Sequence, residues 1–178
     1  IINIGRFTDQ KDHMTLLKAV NFIKKFNFKF KLLILARGIN LIKMKKFIQK
    51  HNLKKNVKIV GYKINPFPYL KLANLFVLTS KFEGLPNVLL EAAVLKKIII
   101  STDCPTGPKE ILQKGKNGFL SKIGDYRDIG KKIISIKKNK KEVKKMIYNN
   151  YKNLNRFDYK KNLNKYLDEI NKISNQIS

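Results

Sequence analysis

Short, continuous apolar runs alternate with segments of helical spacing along almost the whole chain, and this alternation limits the possible folds most strongly. Strands this apolar are buried on both faces, which is typical of a parallel sheet covered by helices. Because crossovers between parallel strands are right-handed, the pattern predicts an α/β fold, a Rossmann-like doubly wound parallel sheet of about six strands. The predicted strands are Ile1–Arg6, Lys31–Ala36, Val57–Val60, Leu75–Leu78, Ile98–Ser101 and Gly118–Ser121.

Helical spacing and end signals predict the connecting segments. Asp12 is a capping residue for the first helix, and Pro86 is placed at the first position of another. The predicted helices begin at Asp12 or span Leu41–His51, Pro66–Ala73, Pro86–Leu95, Pro108–Gln113, Asp125–Ile136, Lys141–Asn153 and Asp158–Ile173. With 178 residues and no linker or repeat, we expect one domain over residues 1–178 that ends in helices over about 140–178.

Unusual residues follow the predicted strands. In a doubly wound sheet, ligands bind at the carboxyl ends of the strands, so the pattern predicts a site at that edge. The segments concerned are Gly5-Arg6, Ala36–Gly38, Gly61-Tyr62, Ser80–Asn87 and Thr102–Pro108.

The segment Ser80–Ala92 predicts a strand end, a glycine turn and an exposed helix N-terminus. A helix N-terminus attracts anions, so its N–H groups are candidates to face a pyrophosphate. These are the N–H groups of Leu85, Asn87 and Val88. Glu91, about one turn into the helix, is placed to accept hydrogen bonds from two ribose hydroxyls. The alternative is that Gly84–Pro86 only ends a loop and that Glu91 is a solvated helix residue.

The order and spacing of several short motifs resemble those of one enzyme family. Glu83 and Glu91 match the E-x7-E motif of the family-four retaining glycosyltransferases, the "glycosyl transferases group 1", which have the two-domain GT-B fold. Other matching segments are Ile4–Arg6 with Gln10–Asp12, Leu32–Leu35 with Gly38, Val57–Gly61, Ala73–Ser80, Ser101–Pro105 with Gly107–Ile111, Gly115–Gly118 and Gly124-Asp125.

This resemblance implies that the chain is the C-terminal, donor-binding half of a glycosyltransferase whose N-terminal acceptor domain is missing. The enzyme would transfer a sugar from a nucleotide-diphosphate sugar, with UDP as the expected nucleotide, to a glycan or lipid-linked acceptor with retention of configuration. Neither a metal nor another cofactor is implied, and the isolated chain is expected to be inactive.

The resemblance also implies roles for individual residues. Arg6 and Lys11 contact the donor phosphates and stabilise the leaving group, Glu83 contacts the donor sugar, and Glu91 binds the ribose; Arg6, Lys11 and Glu83 form the expected catalytic set. Further donor-side positions are Gly5, Arg37, Tyr62, Gly84, Leu85, Pro86, Asn87 and Val88. For Tyr62, stacking against the nucleobase and ordinary packing both stay open.

The charge of the chain admits two explanations. It carries 39 Lys and Arg against 12 Asp and Glu, a net charge of +27, and only four of the cations are Arg. The lysines reflect either an AT-rich coding sequence or attraction to anions such as an anionic membrane surface. Nucleic acid is an unlikely partner, because sequence readers favour Arg.

Location and the competing function follow from simpler features. The single Cys104 excludes an intrachain disulfide and fits a reducing, cytoplasmic compartment, with peripheral attachment at the inner face of the membrane as an option. No stretch approaches the roughly 20 apolar residues of a membrane helix.

His13 is expected in the first helical turn and not as a catalytic base. The alternative function is a non-catalytic nucleotide- or polyanion-binding module.

Overall fold

The computed structural model describes residues 1–177, and the side chains of residues 1–174. All registered strand pairs are parallel, and the six strands form one sheet in the order β3-β2-β1-β4-β5-β6. The predicted parallel α/β sheet is confirmed. The strands are β1 (Ile2–Ile4), β2 (Leu32–Leu35), β3 (Val57–Ile59), β4 (Leu75–Leu78), β5 (Ile98–Thr102) and β6 (Phe119–Ser121).

Helices connect the strands and continue past the last one. The helices are α1 (His13–Lys24), α2 (Leu41–Lys50), α3 (Phe67–Leu72), α4 (Asn87–Val94), α5 (Gly107–Ile111), α6 (Tyr126–Ser135), α7 (Lys140–Lys152) and α8 (Tyr159–Ile177). Two short 3₁₀ helices span Gln113–Gly115 and Asn153–Phe157. One prediction is wrong by a residue: Pro86 has an extended ψ of 97° and precedes α4 instead of opening it.

Two apolar layers cover the sheet, one on each face. On one face, buried side chains of α1, α2 and α6 pack against strand residues such as Ile34, Val77 and Ile100. On the other face, α3, α4 and α5 pack against the alternate strand positions, among them Phe76 and Ile99. Because successive residues of a strand point to opposite faces, each continuous apolar run supplies both layers. This explains why the strands lack polar alternation.

The strand order reverses beside β1. The chain adds β2 and β3 on one side of β1 and then crosses to add β4, β5 and β6 on the other. The register between β1 and β4 contains the single pair Ile2↔Phe76, and the buried Asn3 side chain donates a hydrogen bond to the Val77 carbonyl at 2.8 Å. Such a switch point opens a crevice at the carboxyl ends of the strands, where doubly wound folds bind ligands.

The last helix, α8, is exposed along its described length. Its apolar side chains recur every three or four residues and thus share one stripe: Tyr159, Leu163, Tyr166, Ile170 and Ile173. Among the described residues, no helix combines the length and apolar character needed to cross a membrane.

Candidate functional site

The loops after β1 and β4 meet at the switch point through an ion pair. Lys11 Nζ lies 2.5 Å from Glu83 Oε1, and the two side chains are only 16% and 7% exposed. The Ser80 hydroxyl donates to the same carboxylate oxygen at 2.5 Å. The structure therefore joins two residues that the sequence analysis placed on different parts of the donor. A cation and an anion are held together where a ligand is expected.

Backbone hydrogen bonds fix the relative positions of these two loops. The Lys81 N–H donates to the Gln10 carbonyl at 2.8 Å, and the Gln10 side-chain amide donates to the Phe82 carbonyl at 3.0 Å. The Thr79 hydroxyl donates to the carbonyl of Lys11 at 3.0 Å. Because both loops are tied at several points, the Lys11–Glu83 pair is preorganised before any ligand arrives.

The loop after β5 forms hydrogen bonds with the loop between β4 and α4. The Gly107 N–H donates to the Gly84 carbonyl at 2.9 Å, and the Thr106 hydroxyl donates to the Glu83 carbonyl. A Cβ at position 107 would lie 2.2 Å from the Gly84 carbonyl oxygen and 2.5 Å from Pro86 Cδ. Only glycine allows α5 to approach this closely, so position 107 determines where the glycine turn sits.

The N-terminus of α4 faces outward beside this turn. Leu85 and Asn87 are exposed, Val88 is partly buried, and Pro86 is buried beneath them. Within the described part of the chain, no side chain caps the first turn of the helix. The first N–H groups of a helix lack intrahelical partners, and with the helix dipole they favour an anion. That a pyrophosphate faces these N–H groups stays a prediction.

Glu91 lies on α4 just past its first turn and is half-buried. Burial raises the pKa of its carboxyl. Among the described residues, its carboxylate makes no hydrogen bond or ion pair. A half-buried carboxylate without a partner is poorly solvated, and hydroxyl groups of a ligand would supply the missing hydrogen bonds.

A cavity of about 380 Å³ lies at the carboxyl ends of β1, β2 and β3. Four predicted donor-side residues line it: Gly5, Arg6, Arg37 and Tyr62. The Arg37 guanidinium lies 5.0 Å from the centre of the Tyr62 ring. Among the described residues that line the cavity, three are cations, since Lys63 joins the two arginines, and none is a carboxylate. The cavity is therefore suited to an anionic ligand with a planar ring.

The loop after β1 links this cavity to the ion pair. Gly5 lines the cavity, and a Cβ at this position would lie 3.5 Å from Lys11 Cδ. The Lys11 side chain thus runs past Gly5 toward Glu83.

A second groove, of about 670 Å³, lies at the amino ends of the strands and is lined mainly by apolar side chains such as Leu75 and Ile98. This groove therefore lies at the edge of the sheet opposite the predicted donor site, which is at the carboxyl ends of the strands.

Burial shifts the pKa of two further residues, His13 and Cys104. His13 is the first residue of α1, as predicted, and its ring packs edge-to-face on Phe7 at 5.1 Å between centroids. Burial lowers its pKa to about 4, so the ring is neutral near pH 7. Burial also raises the pKa of the Cys104 thiol, which disfavours the thiolate. Among the described residues, no three potential ligand side chains gather to hold a metal ion.

The sequence analysis gave no role to several residues that build the site. Ser80, Thr106 and Gln10 hold Glu83 or its loop through hydrogen bonds. The available signal was position alone, because Ser80 lies two residues after β4 and Thr106 lies in the loop after β5. Hydroxyl residues are common at such positions, so their partners appear only when the loops are placed together.

Residues 1–153 match the family model described as "Glycosyl transferases group 1". The chain belongs to this family. The match covers the six-stranded sheet and the helices through α7, and α8 lies outside it. The resemblance drawn from the E-x7-E motif is thereby confirmed.

Curated relatives of this transferase domain are much longer than the domain. An uncharacterised glycosyltransferase of Methanocaldococcus jannaschii is 43% identical over 130 residues, which are 73% of this chain and 32% of that protein. The poly(ribitol-phosphate) α-N-acetylglucosaminyltransferase of Staphylococcus aureus is 28% identical over 77% of this chain and 28% of its own length. The chain thus spans about a third of the length of these relatives.

Solved structures share the fold. Crystal structures of Staphylococcus aureus TarM, one of them a complex that includes UDP, superpose with a TM-score of 0.86 at 25% identity over 94% of this chain and 34% of theirs. A C-terminal domain of a group 1 glycosyl transferase from Francisella tularensis gives a TM-score of 0.76 at 21% identity, and the match covers 87% of this chain and 84% of that domain.

Proposed function

We propose that this chain is the donor-binding half of a retaining glycosyltransferase that transfers a sugar from a UDP-sugar to a glycan or lipid-linked acceptor. The observation that carries the proposal is the crevice at the switch point, where a cavity lined by cations adjoins the Lys11–Glu83 pair. Relatives support it, since one is named for transfer of N-acetylglucosamine to poly(ribitol-phosphate) and a structural neighbour was crystallised with UDP.

The donor is assigned to the site group by group. The nucleobase enters the cavity beside Tyr62 and Arg37, and the ribose hydroxyls donate to Glu91. The diphosphate lies between Arg6, Lys11 and the N–H groups at the start of α4. The sugar then reaches Glu83, whose carboxylate accepts hydrogen bonds from its hydroxyls. Each part of the ligand thereby meets a group of matching charge or hydrogen-bonding capacity.

The chemistry assigned to these residues is stabilisation of the leaving group. As the bond between sugar and phosphate breaks, negative charge grows on the nucleoside diphosphate. Arg6, Lys11 and the α4 N-terminus are preorganised to stabilise this charge, and a divalent metal is not required for that role. Glu83 Oε1 already accepts bonds from Lys11 and Ser80, an arrangement that suits positioning of the sugar better than nucleophilic attack. The acceptor hydroxyl then attacks the anomeric carbon from the face that the leaving group vacates and passes its proton to the departing phosphate, which retains the configuration.

Transfer requires a second domain in this proposal. Donor and acceptor must be held together in one closed cleft, because orientation supplies a large part of the rate acceleration. All the residues described above lie on the donor side. The isolated 178-residue chain is therefore expected to bind nucleotide without transferring sugar, whereas the full-length enzyme transfers with retention and in the presence of EDTA.

Calorimetric titration with UDP tests the nucleotide assignment. Glu91→Ala should weaken UDP binding about ten- to hundredfold, because charge-assisted hydrogen bonds contribute about 1.5–3 kcal/mol. Glu142→Ala removes an exposed carboxylate from the first turn of α7 and serves as the matched control. Titrations with GDP and ADP identify the preferred base. No UDP binding, or equal loss in both variants, would contradict the assignment. UDP binding with no transfer by the full-length enzyme would favour the non-catalytic module.

We also propose that the chain associates with the cytoplasmic, anionic face of a membrane. The exposed apolar stripe of α8 resembles the face that interfacial amphipathic helices bury between lipid headgroups. The lysine surplus adds attraction of about 1 kcal/mol for each Lys near such a surface. A lipid-linked acceptor would be found at the same surface.

A further inference from the structure

Among the described side-chain hydrogen bonds, only one oxygen of the Glu83 carboxylate acts as an acceptor. Oε1 accepts hydrogen bonds from the Lys11 ammonium and the Ser80 hydroxyl, both at 2.5 Å. Among the described residues, no donor reaches Oε2. We propose that Ser80 is a positioning residue for the donor sugar, which keeps Oε2 directed at the sugar hydroxyls. This inference rests on the proposed function and assigns a residue within that site.

Ser80 is built to hold this orientation. It is fully buried at the end of β4, and its carbonyl accepts a hydrogen bond from Thr102 at 2.5 Å. Its main chain is thus fixed by the neighbouring strand, and the short side chain has few rotamers. Lys11, in contrast, has a flexible side chain that ends in an ammonium group with three N–H donors. The ammonium can therefore donate hydrogen bonds to two partners at once.

Glu83 needs a second hydrogen-bond donor beside Lys11 once the diphosphate binds. Lys11 is then shared between a phosphate oxygen and Glu83, and its hold on the carboxylate weakens. The Ser80 hydroxyl does not contact the phosphates in this assignment, so it keeps Oε1 in place. Without it, the carboxylate rotates toward Lys11 and presents Oε2 poorly. The loss affects recognition of the sugar and leaves recognition of the nucleotide intact.

Ser80→Ala separates these two effects. The probes are UDP, UDP-glucose and UDP-N-acetylglucosamine, each titrated calorimetrically into the 178-residue chain, and the readout is the affinity for each UDP-sugar relative to UDP. We expect UDP affinity to change less than about twofold, while the advantage of the preferred UDP-sugar falls about tenfold, as for the loss of an oriented charge-assisted hydrogen bond. In the full-length enzyme, kcat should fall more than the UDP inhibition constant changes.

Three further variants separate positioning from folding. Ser101→Ala removes a hydroxyl that is equally buried on the adjacent strand but donates to the Thr102 carbonyl, so it should keep the sugar preference. Ser80→Thr retains a hydroxyl and should restore part of the preference. If Ser80→Ala does not fold, Ser80→Cys, of similar size but a weak donor, should show the same loss.

The possible outcomes distinguish failure of the positioning role from failure of the proposed function on which it rests. A wild-type chain that does not bind UDP overturns the proposed function. A wild-type chain that binds UDP and each UDP-sugar equally well overturns the positioning role. So does a Ser80→Ala or Ser80→Cys variant that keeps the full sugar preference, or a Ser101→Ala variant that loses it equally.

Discussion

Replacing Gly107 by alanine should separate α5 from the glycine turn of the site. The added Cβ would lie 2.2 Å from the Gly84 carbonyl oxygen, 2.5 Å from Pro86 Cδ and 3.0 Å from Leu85 Cα. Two of these three atoms belong to the backbone, so no side-chain rotation relieves the overlap. The start of α5 must move away, and the hydrogen bond from the Gly107 N–H to the Gly84 carbonyl, now 2.9 Å long, must lengthen or break.

The expected loss of stability follows from these two consequences. Overpacking of a close-packed contact costs about 1–3 kcal/mol, and the lost hydrogen bond adds about 0.5–1.5 kcal/mol. The sum, about 1.5–4.5 kcal/mol, corresponds to a decrease in Tm of roughly 3–18 °C for a chain of this length. UDP binding should weaken as well, because the displaced turn carries the N–H groups assigned to the pyrophosphate.

Urea and thermal unfolding of Gly107→Ala measure this loss directly. Gly84→Ala is the matched stability control, because a Cβ at Gly84 would meet no atom within 4 Å. It lies in the same turn, and its Tm should stay within about 2 °C of the wild type. A Gly107→Ala variant as stable as the wild type, or a Gly84→Ala variant destabilised equally, would show that the close approach does not determine the position of the turn.

Two further predictions concern acid stability and the membrane. Burial lowers the pKa of His13 from 6.5 to about 4, so between these values the unfolded chain takes up a proton that the folded protein excludes. The unfolding free energy should therefore fall as pH drops from 6.5 to 4 by up to about 3 kcal/mol more than in His13→Phe; parallel pH profiles of the two proteins would refute this. The chain should sediment with anionic vesicles, less so at high salt, and not with neutral ones. Deletion of residues 159–178 should reduce sedimentation while leaving Tm nearly unchanged, because the described side chains of α8 are exposed; undiminished sedimentation would refute a role for α8.

The sheet was predictable because its strands carry strong signals. Each strand is a continuous apolar run, and runs such as Leu75–Leu78 are too short for helices. The doubly wound arrangement then followed from the handedness of crossovers. The position of Pro86 was less predictable, because proline favours the first helical position, whereas here it precedes the helix as the N-cap residue.

The hydrogen-bonding network of the site was not predictable in the same way. Lys11 and Glu83 are 72 positions apart, and nothing in either segment specifies that their side chains pair. Their meeting depends on β1 and β4 becoming neighbours at the switch point, a consequence of the whole topology. Ser80 and Thr106 carry short polar side chains whose partners are set by loop geometry. Sequence motifs therefore predicted a candidate site, and the tertiary structure supplied the contacts between its residues.

In so basic a chain, the carboxylates indicate function better than the cations do. With 39 Lys and Arg, a cation near any point on the surface is expected by composition, and Arg6 alone would prove little. Only three glutamates precede Glu142, and two of them are Glu83 and Glu91. Glu83 is neutralised by Lys11 and held by Ser80, whereas Glu91 is half-buried with no partner among the described residues. In the proposed function, this unpaired carboxylate binds the hydroxyls of a ligand whose negative charge meets the N-terminus of the same helix. A nucleoside diphosphate supplies both groups. Glu91→Ala should then weaken binding of the nucleoside part of the donor, and Ser80→Ala should weaken recognition of its sugar.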